Sequence, residues 1–237
     1  MPPDSAATRA RLLDAAFEEF ARYGLAGARV DRIAYAAQAN KRLIYVYYGS
    51  KEQLFDAVIK QRVGALFDAV PFTAEDLPGF AATLFDHLLA CPQLLRLGKW
   101  GQLERANSPA GEIQACRDKV DAIARAQKQG VITADMEPAD LLILLLGMVT
   151  SWFNVSSAIR DLAATEDAGS PECLQRHRAA LTVAVRRLVV PSPHLRPLVQ
   201  ESKRSVQDQT RRPPGDLEGV FVAGTPGCAT NIKIPTL

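Results

Sequence analysis

The chain has 237 residues, 48% of them hydrophobic, and a formal net charge of only +2. That is enough for one large domain or two small ones with a sizeable core, and the near-neutral total argues against a protein that holds nucleic acid by bulk charge. The four cysteines, Cys91, Cys116, Cys173 and Cys228, are far apart with no C-x-x-C pair, which argues against a zinc site or a disulfide framework and for reduced thiols in the cytoplasm.

The N-terminus, Met1-Pro2-Pro3-Asp4-Ser5, lacks the basic start and apolar core of a signal peptide. From Ser5 to Tyr23, Leu13, Ala16, Phe17 and Phe20 form one helical stripe. Gly24 is placed to end that helix in a left-handed conformation. A second helix runs from about Val30 to Ala37, with Val30, Ile33, Ala34 and Ala37 inward. Gln38-Ala39 then links tightly to the stretch from Asn40 to Tyr48. Asn40 suits an N-cap, because its side-chain oxygen can accept a backbone N–H one turn in. Ile44 and Tyr48 share an inward face, which leaves Lys41, Arg42, Tyr45 and Tyr47 outward. Two cations and two phenols on one exposed helix suit a phosphate backbone. Residues 29–51 hold Arg29, Arg32, Lys41, Arg42 and Lys51 against the single Asp31, a local basic stripe.

Three short helices with a tight turn before the third form a helix-turn-helix unit. Gly49 closes the third, and Ser50-Lys51-Glu52-Gln53 reads as a capping box, with Ser50 bonding forward and Gln53 back. A long helix follows to Val70, ahead of Pro71. Residues 71–190 read as all helix: Pro78 to Ala90, Pro92 to Arg105, Gly111 to Gln129, Pro138 to Leu162 and Pro171 to Val190. Prolines at or near four of these starts fit the first-turn preference of proline. The apolar run Leu141 to Val149 is too short to span a bilayer and reads as a buried helix rather than a membrane contact. Beyond Pro191, prolines and glycines punctuate a tail that reads as disordered or as a docked arm.

The residues from Arg9 to Val58 resemble the TetR family of bacterial transcriptional regulators. Phe17, Phe20 and Gly24 end the first helix, and Asp31-Arg32-Ile33-Ala34 sit in the second. The diagnostic part is Tyr45, two residues, the aromatic Tyr48, then Gly49-Ser50-Lys51-Glu52-Gln53-Leu54. The resemblance implies an all-α fold with a DNA-binding head at 1–50 and an effector-binding and dimerisation body at 51–190, ahead of the Pro/Gly-rich tail at 191–237. It implies a homodimer on double-stranded DNA with an inverted repeat. Carried onto this sequence, Lys41, Tyr45, Tyr47 and Lys51 match positions that touch the DNA backbone, and Arg42 and Leu43 match positions that face bases. There are two departures. Gln38 stands where a turn glycine is frequent, so the turn must tolerate a Cβ. Arg29 stands where Thr or Ser caps the second helix, and is free to meet a phosphate instead.

In the body, Phe85, Leu88, Trp100, Met148 and Trp152 are candidates to line a pocket for a small hydrophobic effector, and equally good candidates for core. His87, His177 and His194 are too scattered for a metal site. There is no G-x-S-x-G, P-loop or Gly-rich nucleotide fingerprint, so neither an enzyme nor a cofactor is expected. The competing reading is an all-α interaction protein that keeps the head but does not read DNA. The helices Leu141 to Val155 and Leu174 to Val190 are expected to form the dimer contact, with Leu181, Val185, Leu188 and Val189 as a second apolar stripe whose side, core or interface, stays open.

Overall fold

The computed structural model describes residues 5–105, 110–163 and 167–191, all within the unit Met1–Pro193. The tail from residue 192 onward lies outside the described residues, so the disordered-or-docked alternative rests there. The described residues form ten α-helices and one 3-10 turn, with no strand.

Helix α1 (Ser5–Gly27) carries Leu12, Ala16, Phe17 and Phe20 inward. Its regular part ends at Tyr23, as expected. Gly24 takes φ 69° and ψ −179°, and the chain makes one further turn to Gly27. Helix α2 (Val30–Ala36) and α3 (Lys41–Tyr48) follow, and α4 (Lys51–Ala69) leaves the head for the body. The head core joins Leu12, Phe20, Ile33, Ile44, Leu54 and Phe55, all fully buried. Phe20 meets Phe55 edge-on at 4.9 Å, a geometry worth about 1 kcal/mol beyond area burial. The same core takes in Ile59 of α4 and Leu97, so the head is rooted beyond residue 50.

After the 3-10 turn Ala74–Asp76, the body contains α5 (Leu77–Ala90), α6 (Pro92–Glu104), α7 (Ala110–Lys128), α8 (Pro138–Asn154), α9 (Ser157–Ala163) and α10 (Pro171–Val189). Asp76 and Ser170 cap α5 and α10 through Gly79 N and Cys173 N. The body core gathers Phe85, Leu88, Ile123, Leu141, Leu145, Val149, Trp152, Leu181 and Val185.

Three expectations need correction. The helix expected from Pro138 to Leu162 breaks after Asn154, and its two pieces meet at 89°. Val155 is extended there, and the run Asn154-Val155-Ser156-Ser157 favours caps over helix interior. Among the described residues no single helix is long and apolar enough to cross a membrane. The capping box is half made: Ser50 Oγ accepts Gln53 N–H at 3.1 Å, while Ser50 N–H goes to Tyr48 O at 3.0 Å. Gln38 does not sit in a turn suited to a Cβ; it adopts φ 50° itself. Leu181, Val185 and Val189 are buried within the chain, so the alternative left open for that stripe of α10 falls to core.

Candidate nucleic-acid interface and ligand cavity

Asn40 caps α3 as its sequence predicts, with Oδ1 accepting Arg42 N–H at 2.8 Å. Ile44 is buried at the base of α3, and Lys41, Arg42, Tyr45 and Val46 are exposed. Leu43, Tyr47 and Tyr48 are half-buried along the flanks of α3. The Tyr48 hydroxyl donates to Arg9 O at 3.2 Å, and burial pushes this phenol up from its ordinary value.

The basic stripe divides when its partners are traced. Lys41 pairs with Asp31 at 2.8 Å, and that bond raises its pKa. Arg32 pairs with Glu19 at 2.5 Å, which also raises its pKa. Lys51 Nζ donates to Ala28 O at 3.3 Å and reaches Ala26 O at 3.5 Å, so it ties the α1–α2 joint. Among the described residues Arg29 and Arg42 form no ion pair, and both are exposed. Arg29 makes no side-chain cap. The cap comes from α1: Glu19 Oε1 accepts Arg29 N–H at 2.8 Å. Sequence reading passed over Glu19. Its signal was available: of the adjacent acids Glu18 and Glu19, only Glu19 falls on the buried side of α1.

In the body, a cavity of about 670 Å³ opens between α4, α5, α6 and α8. Ile59, Val63, Leu66, Leu84, Leu88, Leu94, Leu95, Leu97 and Leu146 form its apolar wall. Lys99, Gln102, Arg105, Glu112, Thr150 and Asn154 supply its polar groups. Arg105 is held by an ion pair to Asp56, and Lys99 reaches Phe153 O at 3.5 Å. Size and lining suit a small-molecule site.

Comparison with known proteins gives two family matches on this chain. Residues 12–58 match the family described as bacterial regulatory proteins, tetR family, and residues 76–187 match the tetracyclin repressor-like C-terminal domain. The chain is 40% identical over 190 residues to the HTH-type transcriptional repressor SCO4008 of Streptomyces coelicolor, covering 78% of this chain and 97% of that protein. The chain belongs to the TetR family. It is a transcriptional regulator with a helix-turn-helix head, in a family of regulators and not of enzymes. It is also 43% identical over 53 residues to the HTH-type transcriptional repressor NicS of Pseudomonas putida, 22% of this chain and 25% of that one. The crystal structure of the transcriptional regulator SCO4942 from Streptomyces coelicolor superposes with a TM-score of 0.67 at 39% identity, covering 77% of this chain and 98% of that one.

Within this TetR-family frame the five effector candidates separate. Leu88 lines the cavity. Phe85 and Trp152 are buried against α10, where His177 lies 5.4 Å and 4.7 Å from their rings. Met148 packs half-buried on the body core. Trp100 faces the head, since a Cβ placed on Gly24 would lie 2.8 Å from its ring. Large aromatics drew attention in the sequence, yet the wall is mostly leucine. Nothing in the spacing of leucines separates a cavity wall from a filled core.

Proposed function

We propose that this TetR-family protein is a repressor that binds an inverted-repeat operator as a homodimer and is released by a small hydrophobic effector. The observation that carries the DNA half is Arg42, exposed on the capped recognition helix without an ion pair. A guanidinium so placed can fork onto a guanine edge, while Tyr45, Tyr47 and Arg29 meet phosphates on either side. Leu43, half-buried on α3, is proposed to pack on a base.

The effector half draws its support from the cavity. Its wall is apolar, and α4 and α6 form part of it while also contributing Ile59 and Leu97 to the head core. A molecule that favours one setting of these helices shifts the head by its preference between the two states. Release of about a hundredfold requires roughly 2.7 kcal/mol of coupling.

The dimer is proposed to form through the outer faces of α8 and α10. Ile143 is 66% exposed, Leu144 48% and Val183 46%. Apolar side chains on neighbouring helix faces suit an isologous two-fold contact. That contact sets the two reading helices about 34–36 Å apart, or a multiple of that spacing.

The test is binding of the full chain to duplex DNA from beside its own gene, with and without a library of apolar small molecules, read by fluorescence anisotropy. Salt-sensitive binding to one inverted repeat, relieved by a library member, is the expected result. Equal affinity for scrambled DNA would favour the reading as an interaction protein.

A further inference from the structure

Helix α3 has two flanks, and its own sequence supplies cations to only one. Arg42 and Val46 lie along its outer line. At 100° per residue, Lys41 and Tyr45 fall to one side of that line, and Leu43 and Tyr47 to the other. A helix in a major groove about 12 Å wide runs between two phosphate rows, so each flank faces one. The Tyr47 flank receives no cation from α3.

Arg9, at the start of the second turn of α1, stands at that flank. Its guanidinium carbon lies 4.7 Å from the centre of the Tyr47 ring. The adjacent Tyr48 hydroxyl bonds to the Arg9 carbonyl at 3.2 Å, which fixes this turn of α1 beside the end of α3. Arg9 is exposed and makes no ion pair among the described residues. Its neighbours differ: Arg11 donates to Ala37 O at 3.2 Å, and Arg62 pairs with Asp14 at 2.7 Å. A guanidinium stacked on a ring is already ordered and keeps its N–H edge available for a phosphate.

We propose that Arg9, held over the Tyr47 ring, is a DNA-backbone contact that grips the phosphate row on the side of the recognition helix opposite Lys41. This rests on the DNA-binding reading above.

The experiment measures binding of full-length wild type, Arg9→Ala, Arg9→Gln and Arg9→Lys across a salt series. Two duplexes are used: one from beside the gene that wild type binds, and a scrambled one. Melting curves by circular dichroism accompany each variant. Arg9→Ala and Arg9→Gln are expected to weaken both duplexes by the same factor and to lower the slope of log affinity against log salt by about one, the loss of a single phosphate contact. Arg9→Lys should keep the slope, because the charge stays. Wild-type slopes in folded Ala and Gln variants would overturn the proposal, as would a loss confined to the specific duplex. If wild type binds no duplex in a salt-dependent way, the DNA-binding reading fails first and takes this contact with it.

Discussion

The Glu104 carboxylate, at the end of α6, accepts the backbone N–H of Leu25 in the head. Its second oxygen accepts Ala26 N–H at 3.3 Å. The bond caps the short turn that follows Gly24, where the helical N–H groups of α1 would otherwise lack acceptors. Trp100, one turn earlier on α6, covers Gly24 itself. Other residues of α6, including Leu94, Gly98 and Gln102, line the body cavity. One helix therefore touches both the body cavity and the head.

Glu104→Ala should cost about 1 kcal/mol of stability in urea unfolding, the usual worth of a helix cap. If α6 carries the effector signal, the variant should also bind effector normally and release DNA less. Calorimetry for the effector and anisotropy for DNA separate the two effects. Full release in the variant would place the signal on α4 alone.

Glu19 is buried and serves both the Arg29 backbone and the Arg32 guanidinium. Glu19→Ala strands the Arg29 N–H, while the exposed Arg32 guanidinium keeps Gly27 O at 3.1 Å, so a loss of about 1–3 kcal/mol is expected from the unpaired N–H. Glu19→Gln keeps an acceptor for Arg29 N–H and should lose less. A chevron or urea titration of both variants checks the order. An Ala variant as stable as wild type would show that water replaces the carboxylate.

Arg42 and Lys51 should behave differently despite equal charge. Arg42→Ala is expected to cost about 1–3 kcal/mol of binding on the operator and to relax one base position. Lys51→Ala should lower thermal stability as well as affinity, because its ammonium bridges the carbonyls that end α1. Parallel melting and binding curves distinguish them. A Lys51 variant with an unchanged melting temperature would assign that side chain to phosphate alone.

Gln38 occupies the left-handed region at φ 50°, which costs a residue with a Cβ about 1–2 kcal/mol. Glycine removes that strain but frees the unfolded chain, an offset of about 0.4–1 kcal/mol. Gln38→Gly is therefore expected to stabilise the protein by up to about 1.6 kcal/mol, read as a rise in melting temperature. A fall would show that the Gln38 side chain makes a compensating contact.

His177 packs against Phe85 and Trp152 with its ring tilted to both, and burial pushes its pKa below the ordinary value of 6.5. Its Nε2 has no hydrogen-bond partner among the described residues. The native state thus takes up the proton less readily than the unfolded chain does. The His177 contribution is fully present above pH 6.5 and declines as pH falls toward the depressed native value. Melting temperature should drop between neutral and mildly acid pH, and His177→Phe should flatten that drop. Identical pH profiles would remove His177 as a cause.

The sequence by itself determined the local structure of the head. Asn40 before an amphipathic turn, Ser50 three residues ahead of Gln53, and proline at helix starts act within one turn of chain, where spacing and chemistry are enough. The family motif from Asp31 to Leu54 identified the DNA reader for the same reason, since its residues are contiguous. Partnerships across the fold were decided by tertiary structure alone. Lys41 and Lys51 look alike in sequence, but one meets Asp31 and the other meets backbone carbonyls. Trp100 reads as a pocket aromatic until α6 is seen turning it toward Gly24. Leu181 and Val183 are both apolar residues on α10, and only packing against α5 and α8 buries the first and exposes the second. Hydrophobicity drives burial without naming a partner, so the period of a helix gives its inward face, and the neighbouring helices decide whether that face meets core, cavity or open surface.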